Sequence, residues 1–283
     1  MDERYERYLI AHNLKETTYT YMESLAISVS REMPDGCFAF VGTGLPLLAA
    51  SLAQKTHAKD MTIILEAGTV GPKISDLPVS VADPRASYQA ATLSTLVDAF
   101  GTIACRGFCT IGVLGAAECD MYGNLNSTSL GDYRPSGISN TGKGPAVRFT
   151  GSGGANDIAS LSDKTIIMMV HELRRFAAKV QYLTAPAGLR GKKGDDRFDY
   201  GIFRGGDQCV ITDMCKMRPD KETGILYVSE IFQDIDPEMI KKNTGWDIDV
   251  SRAVLIKPPT KEELQVLRMY VDPDRLYLDR KKK

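Results

Sequence analysis

Short apolar runs alternate with helical or glycine-rich stretches along most of this chain. Residues 37–41, 61–65, 108–116, 164–170 and 208–212 place apolar side chains on nearly every position, as strands covered on both faces do. Between them, residues 17–33 carry Met22, Leu25, Ala26 and Val29 at helical spacing and stop at Pro34-Asp35-Gly36. Helical spacing recurs over residues 47–53, 86–100 and 261–270, and another helix is predicted to start near Asp157. Residues 179–183 read as a further strand, and the runs 211–217 and 225–232 flank a turn at Asp220 to Gly224, the pattern of an antiparallel hairpin. The alternation predicts an α/β fold with an open, mostly parallel sheet covered by helices and a C-terminal antiparallel hairpin. Residues 1–16 read as an N-terminal arm and residues 17–283 as a single domain without internal repeats.

The pattern breaks over residues 118–154, which are crowded with Gly, Asn, Ser and Pro. A structureless stretch of that length inside a compact domain is expected to be a functional surface. Two strand ends also stand out. The run 37–41 leads into GTGLP at residues 42–46, and the run 61–65 is followed at once by Glu66-Ala67-Gly68. Open α/β sheets keep their chemistry where strands stop, so Glu66 is a carboxylate in a functional position.

Bulk properties narrow the function. The 283 residues are 43% hydrophobic and 25% charged, with a formal net charge of -1, as for a soluble globular protein. That balance, without a basic stripe interleaved with aromatics, argues against nucleic-acid binding. The N-terminus mixes both signs of charge where a signal peptide would be basic and then apolar, and no apolar run approaches the roughly 20 residues of a membrane span. The six cysteines never form CxxC and most lie in apolar segments, consistent with a reducing cytoplasm. The basic residues 280–283 read as a solvated terminus.

Several motifs fail on inspection. The loop from Gly137 to Lys143 resembles a phosphate loop, but Gly144 stands where a magnesium-binding hydroxyl is needed, and Pro135 and Pro145 flank it. Gly42-Thr43-Gly44 lacks the third glycine of a dinucleotide fingerprint, and Ser152 lacks the first glycine of GxSxG. No His and Cys pairs occur at zinc spacing, so no metal is expected; His171, in a charged segment after a strand, reads as structural or solvent-facing. GSGGAND, from Gly151 to Asp157, has two readings: a nest whose successive N–H groups meet a developing oxyanion, or a glycine-rich turn before a helix.

In order along the chain, GTGLP, Glu66-Ala67-Gly68, DMYGNLNST (120–128), RFTGSGGAND (148–157), IIMMVHELRRF (166–176) and NTGWDIDVS (243–251) closely resemble the B subunits of family I CoA-transferases of the glutaconate type. The resemblance runs from about Ser24 to Pro273. It implies the CoA-transferase-like open α/β fold and an acyl-CoA and a carboxylic acid as substrates, glutaconate or a similar dicarboxylate with an acetate-type partner. Coenzyme A would be a substrate and not a bound cofactor. It also implies an A subunit partner in a hetero-oligomer, with the active site between the two.

By the same resemblance Glu66 is the nucleophile and CoA carrier, Gly153 and Gly154 form the oxyanion hole, and Gly42, Thr43, Gly44, Asn126, Ser152 and Ala155 bind substrate or CoA. Ala67 replaces the family's usual serine beside the glutamate. Relatives on this scaffold that hydrolyse or decarboxylate CoA thioesters tend to have replaced the glutamate, so Glu66 favours transfer; a subunit that only completes its partner's site would need neither Glu66 nor the double glycine. Arg85 and Arg134 are candidate contacts to the acid, or surface charges.

Overall fold

The computed structural model describes residues 3–80, 83–131, 145–190 and 197–279. Arg134, the loop 137–143 and the basic residues 280–283 lie outside these described residues. Where the sequence keeps residues 17–283 together, the structure forms two compact units, one of residues 1–113 with 257–283 and one of residues 114–256.

In the first unit the N-terminal arm carries a helix of its own, α1 (Glu3–Ala11), which buries Tyr5 and Leu9. Helix α2 (Tyr21–Ser30) is shorter than the predicted 17–33 because a capping box fixes its start: the Thr20 hydroxyl accepts from Glu23 N–H, and the Glu23 carboxylate accepts from Thr20 N–H. Strand β1 (Phe38–Val41), helix α3 (Leu45–Lys55) and strand β2 (Thr62–Ile64) follow, then β3 (Thr69–Val70), β4 (Thr92–Leu93) and β5 (Ile111–Leu114). Within this unit the strand order is β5-β1-β2-β3-β4. The buried runs β5, β1 and β2 pair in parallel, and β3 and β4 are added antiparallel at the edge.

The helix predicted over residues 86–100 is replaced by β4 and a π-helical stretch, Asp98–Ala104. Leu93, Leu96 and Val97 are exposed, so their spacing does not mark a buried face. The helical stretch starts late because Thr95 and Asp98 bond each other's side chain and backbone N–H, which fixes a helix start.

The second unit begins with β6 (Glu118–Asp120), β7 (Leu125–Asn126), β8 (Ser129–Leu130) and β9 (Val147–Arg148), all inside the stretch expected to be structureless. Helix α4 (Ala155–Leu161), β10 (Lys164–Met169), β11 (Phe176–Ala177), β12 (Asp207–Thr212), β13 (Cys215–Pro219), β14 (Leu226–Ile231), α5 (Pro237–Lys242) and β15 (Val254–Leu255) complete it. The order is β15-β14-β13-β12-β10, with β10 and β12 parallel and the predicted hairpin, β13 with β14, antiparallel. Its turn forms because the Asp220 carboxylate accepts the N–H groups of Glu222 and Thr223. The strand predicted at 179–183 is absent; β11, a few residues earlier, pairs with β6, which also pairs with β7. Residues 129–130 and 147–148 pair separately as β8 and β9.

The chain then returns to the first unit in α6 (Lys261–Val266), continued as a π-helix to Val271. There Arg268, fully buried, bonds both Glu23 oxygens at 2.8 and 3.1 Å, and Arg275 adds a third bond at 3.0 Å. Burial alone would raise the Glu23 carboxyl; hydrogen bonds from Arg268, Thr20 N–H and Arg275 outweigh it and hold the carboxyl below its ordinary range. A buried charge is tolerated when it is paired and bonded in this way.

Candidate active site

The first unit positions Glu66. Strands β1 and β2 run parallel with Phe40 beside Ile64, so their C-terminal ends lie side by side. β1 runs into Gly42, Thr43 and Gly44 and then into α3, where Gly44 has φ +90° and caps the helix. β2 turns straight back into β3. Leu65 N–H bonds Thr69 O at 2.9 Å and Gly68 N–H bonds Leu65 O at 2.9 Å, which closes a three-residue hairpin loop ending in a positive-φ residue. Gly68 is that residue, at φ +103°. A side chain is excluded there for a second reason: a Cβ would lie 2.4 Å from the backbone oxygen of Ser94. Ser94 N–H and Oγ both bond Gly68 O, at 2.9 and 2.8 Å. Glu66 is therefore the first residue of a turn pinned along one side. Its half-buried carboxylate has no hydrogen-bond or ion-pair partner among the described residues, and Ala67 beside it is exposed.

The second unit positions the glycines. Ala155 N–H bonds Ser152 O at 3.0 Å, closing a four-residue turn around Gly153 (φ +48°) and Gly154 (φ −83°, ψ 3°). Ser152 Oγ accepts from Asn156 N–H at 3.2 Å, so its hydroxyl secures the first turn of α4. The turn leads directly into a helix, with α4 starting at Ala155. Within that turn the N–H groups of Gly153 and Gly154 donate to no partner among the described residues. Two adjacent amide donors left unbonded on a fixed turn are what an anionic oxygen needs.

The other candidates divide. Asn126 is fully buried and its amide is fully used: Nδ2 donates to Glu118 Oε2 (2.5 Å) and Ser129 O (2.8 Å), and Oδ1 accepts from Thr128 and Ser129 N–H. Arg85 is exposed and paired with Asp83 at 2.6 Å. His171 is buried, bonded to Thr212 and Thr244 and stacked on Phe176, and burial lowers its pKa to about 4. The neighbouring Cys215 thiol, 3.7 Å from the ring, is pushed up to about 12 by burial. Both groups are thus neutral near pH 7, as a packed core requires and a thiolate nucleophile does not. Among the described residues no group of His, Cys, Asp and Glu is arranged to hold a metal ion, and no helix is long and apolar enough to cross a membrane. Sequence reasoning passed over Ser94, Glu118 and Thr184, whose contributions are hydrogen bonds and leave no trace in hydrophobic spacing.

Comparison with known proteins places the chain in a family. The sequence profile of the coenzyme A transferase family matches residues 22–243. The chain is 36% identical to the B subunit of glutaconate CoA-transferase from Acidaminococcus fermentans, over 93% of this chain and 96% of that protein. It is 32% identical to the B subunit of 3-oxoadipate CoA-transferase from Pseudomonas knackmussii, over 89% of this chain and 93% of that one. Among solved structures, glutaconate coenzyme A-transferase from Acidaminococcus fermentans superposes with a TM-score of 0.83, covering 93% of this chain and 98% of that chain. The decarboxylase AibA/AibB shares the fold, with a TM-score of 0.76 at 22% identity. With a family match across most of its length and relatives aligned nearly end to end, the chain belongs to the coenzyme A transferase family.

Proposed function

We propose that this chain is the B subunit of a two-subunit CoA-transferase that carries CoA on Glu66 as a glutamyl thioester. The observation that supports this most directly is the carboxylate itself, held on a pinned hairpin loop and left without a partner among the described residues. The names of the two relatives point to a dicarboxylic acid of the glutaconate or 3-oxoadipate kind as one substrate and to an A subunit as the partner.

The chemistry follows from the need to keep thioester energy away from water. A Glu66 oxygen attacks the thioester carbonyl carbon, and the tetrahedral oxyanion collapses by breaking the C–S bond, leaving an acyl-glutamyl anhydride and CoA thiolate. The thiolate then attacks the Glu66 carbonyl carbon, the anhydride C–O bond breaks, and the donor acid leaves as its carboxylate. An acceptor carboxylate runs the same steps backwards. Gly153 and Gly154 supply amide donors to the oxyanion, and loss of one such donor typically costs about 2.7 to 4 kcal/mol of barrier. Ser152 and Ala155 close the turn that carries them, and Gly42, Thr43 and Gly44 line the strand end beside Glu66.

Trapping tests the covalent step. In the complex with a CoA-transferase A subunit, borohydride added with acyl-CoA should reduce the glutamyl thioester to an alcohol, abolish activity and change the mass of the peptide containing Leu65, Glu66 and Ala67. Full inactivation with that peptide unchanged overturns the assignment of Glu66. Steady thiol release that added acids do not alter would instead identify a hydrolase.

A further inference from the structure

The turn that carries Gly153 and Gly154 is shaped by polar groups buried well away from it in sequence. The strand entering it is laddered onto residues 127–130: Gly151 N–H bonds Ser127 O at 3.0 Å, Phe149 N–H bonds Thr128 O at 2.9 Å, and Arg148 and Val147 pair with Ser129 and Leu130. Arg148 adds a side-chain bond to Thr128 O at 3.0 Å. The path of Gly151 therefore depends on where the Ser127 and Thr128 carbonyls stand.

Those carbonyls are set by Asn126 and its supports. Asn126 Oδ1 accepts from Thr128 N–H at 2.9 Å and Ser129 N–H at 3.2 Å, folding 126–129 into a side-chain-closed turn. Its Nδ2 is oriented by Ser129 O and by Glu118 Oε2. Glu118, 2% exposed, accepts from Asn126, from Gln181 Nε2 at 3.0 Å and from Gln181 N–H at 3.3 Å, so every bond it makes needs an acceptor. On the other side Thr184 Oγ1 accepts Ser127 N–H at 2.9 Å and bonds the Thr128 hydroxyl at 2.8 Å.

We infer that Glu118 and Asn126 are positioning residues for the reaction: through the 126–129 turn they fix the strand that delivers the Gly153 and Gly154 amides. This rests on the proposed role of those amides. It replaces direct ligand contact for Asn126, whose four hydrogen-bonding positions are all taken within the protein. The pair is also specific in polarity. Asn126→Asp puts a second carboxylate oxygen against Glu118 and Ser129 O, while Glu118→Gln places an amide N–H where a donor already points. Combining the two changes restores one donor and one acceptor across the contact.

The test measures kcat and KM for acyl-CoA in the complex with the A subunit. In Glu118→Gln and Asn126→Asp, kcat should fall about 100-fold with KM within about threefold, the signature of donors displaced only for the transition state. The double variant should recover kcat by about tenfold over either single change, a coupling that general loss of packing would not show. Native kcat in both single variants overturns the inference. So does a raised KM at unchanged kcat, which would place Asn126 against the ligand. Should neither single variant fold, Thr184→Val carries the same expectation of a lower kcat at constant KM, and native kcat there overturns it. Gly154→Pro, measured alongside, separates the two levels: near-native transfer by that variant refutes the role of the glycine amides themselves.

Discussion

The turn that carries Glu66 and the turn that carries Gly153 and Gly154 both place a glycine at positive φ, Gly68 at +103° and Gly153 at +48°, yet they are held by different means. Around Gly68 the restraint is steric and immediate: Ser94 closes on it so tightly that no side chain fits. Ahead of Gly153 there is open space, since a Cβ on Gly151 would meet nothing within 4 Å, and the restraint is a ladder of backbone bonds to 127–130. In the proposed reaction, a nucleophile that forms and breaks bonds gains from a wall at its back. Donors that wait for a charge gain from an uncrowded approach and a scaffold that works at a distance.

Gly68→Ala should break that comparison hardest. It adds both positive-φ strain and a backbone clash, so a loss of about 3 kcal/mol of stability is expected with at least about 100-fold lower transfer, because Glu66 shifts with its turn. Urea unfolding and steady-state kinetics read the two effects, and a native-like protein would show that the turn tolerates movement. Gly154→Pro should instead separate rate from stability. Its φ of −83° is close to that of proline and its N–H is unbonded within the described protein, so transfer should fall about 10²- to 10³-fold while the unfolding midpoint barely moves. Gly154→Ala, which keeps the N–H, is the control and should stay within about tenfold of the native rate.

The last effect leaves transfer aside and sharpens the contrast between the units in acid. Burial holds His171 at a pKa of about 4, below its ordinary value of 6.5. The unfolded chain therefore takes up the proton first. The contribution is present in full above pH 6.5 and is lost as pH falls toward 4, amounting to about 3 kcal/mol. Glu23 in the first unit is also lowered, so its contribution is lost only below the ordinary glutamate range. Trp246, the single tryptophan, lies against Phe176, which stacks on His171, and reports on the second unit. Its urea midpoint should drop between pH 7 and 4.5, and His171→Gln should flatten that drop; equal slopes would remove His171 as the cause.

Much of the sheet was legible because β1, β2, β5, β10 and β12 are continuous apolar runs buried on both faces, and the 220–224 turn is written in Asp and Gly. The same logic misread residues 86–100, where the apolar Leu93, Leu96 and Val97 face solvent on and just after a short edge strand. It found no order in 118–154, where the structure is built by buried Glu118, Asn126 and Thr184 bonding backbone and each other. Glu66 was visible from its place at a strand end. That this end is a hairpin tip, fixed by a serine 26 positions beyond Gly68, was not. Such partners are set by tertiary contact, and a single chain's polar pattern does not pair them.

The arginine buried at position 268 has a consequence for the order of assembly. It reaches Glu23, the Tyr5 hydroxyl and the carbonyls of Lys15 and Thr18, so the first unit is closed by a residue made after the whole of the second. During synthesis the segment bearing Glu66 emerges early, and the contiguous second unit, residues 114–256, can fold on the ribosome before the first is complete. The proposed nucleophile thus gains its finished framework only after residues 114–256 have been made, a built-in delay before the proposed thioester chemistry can begin.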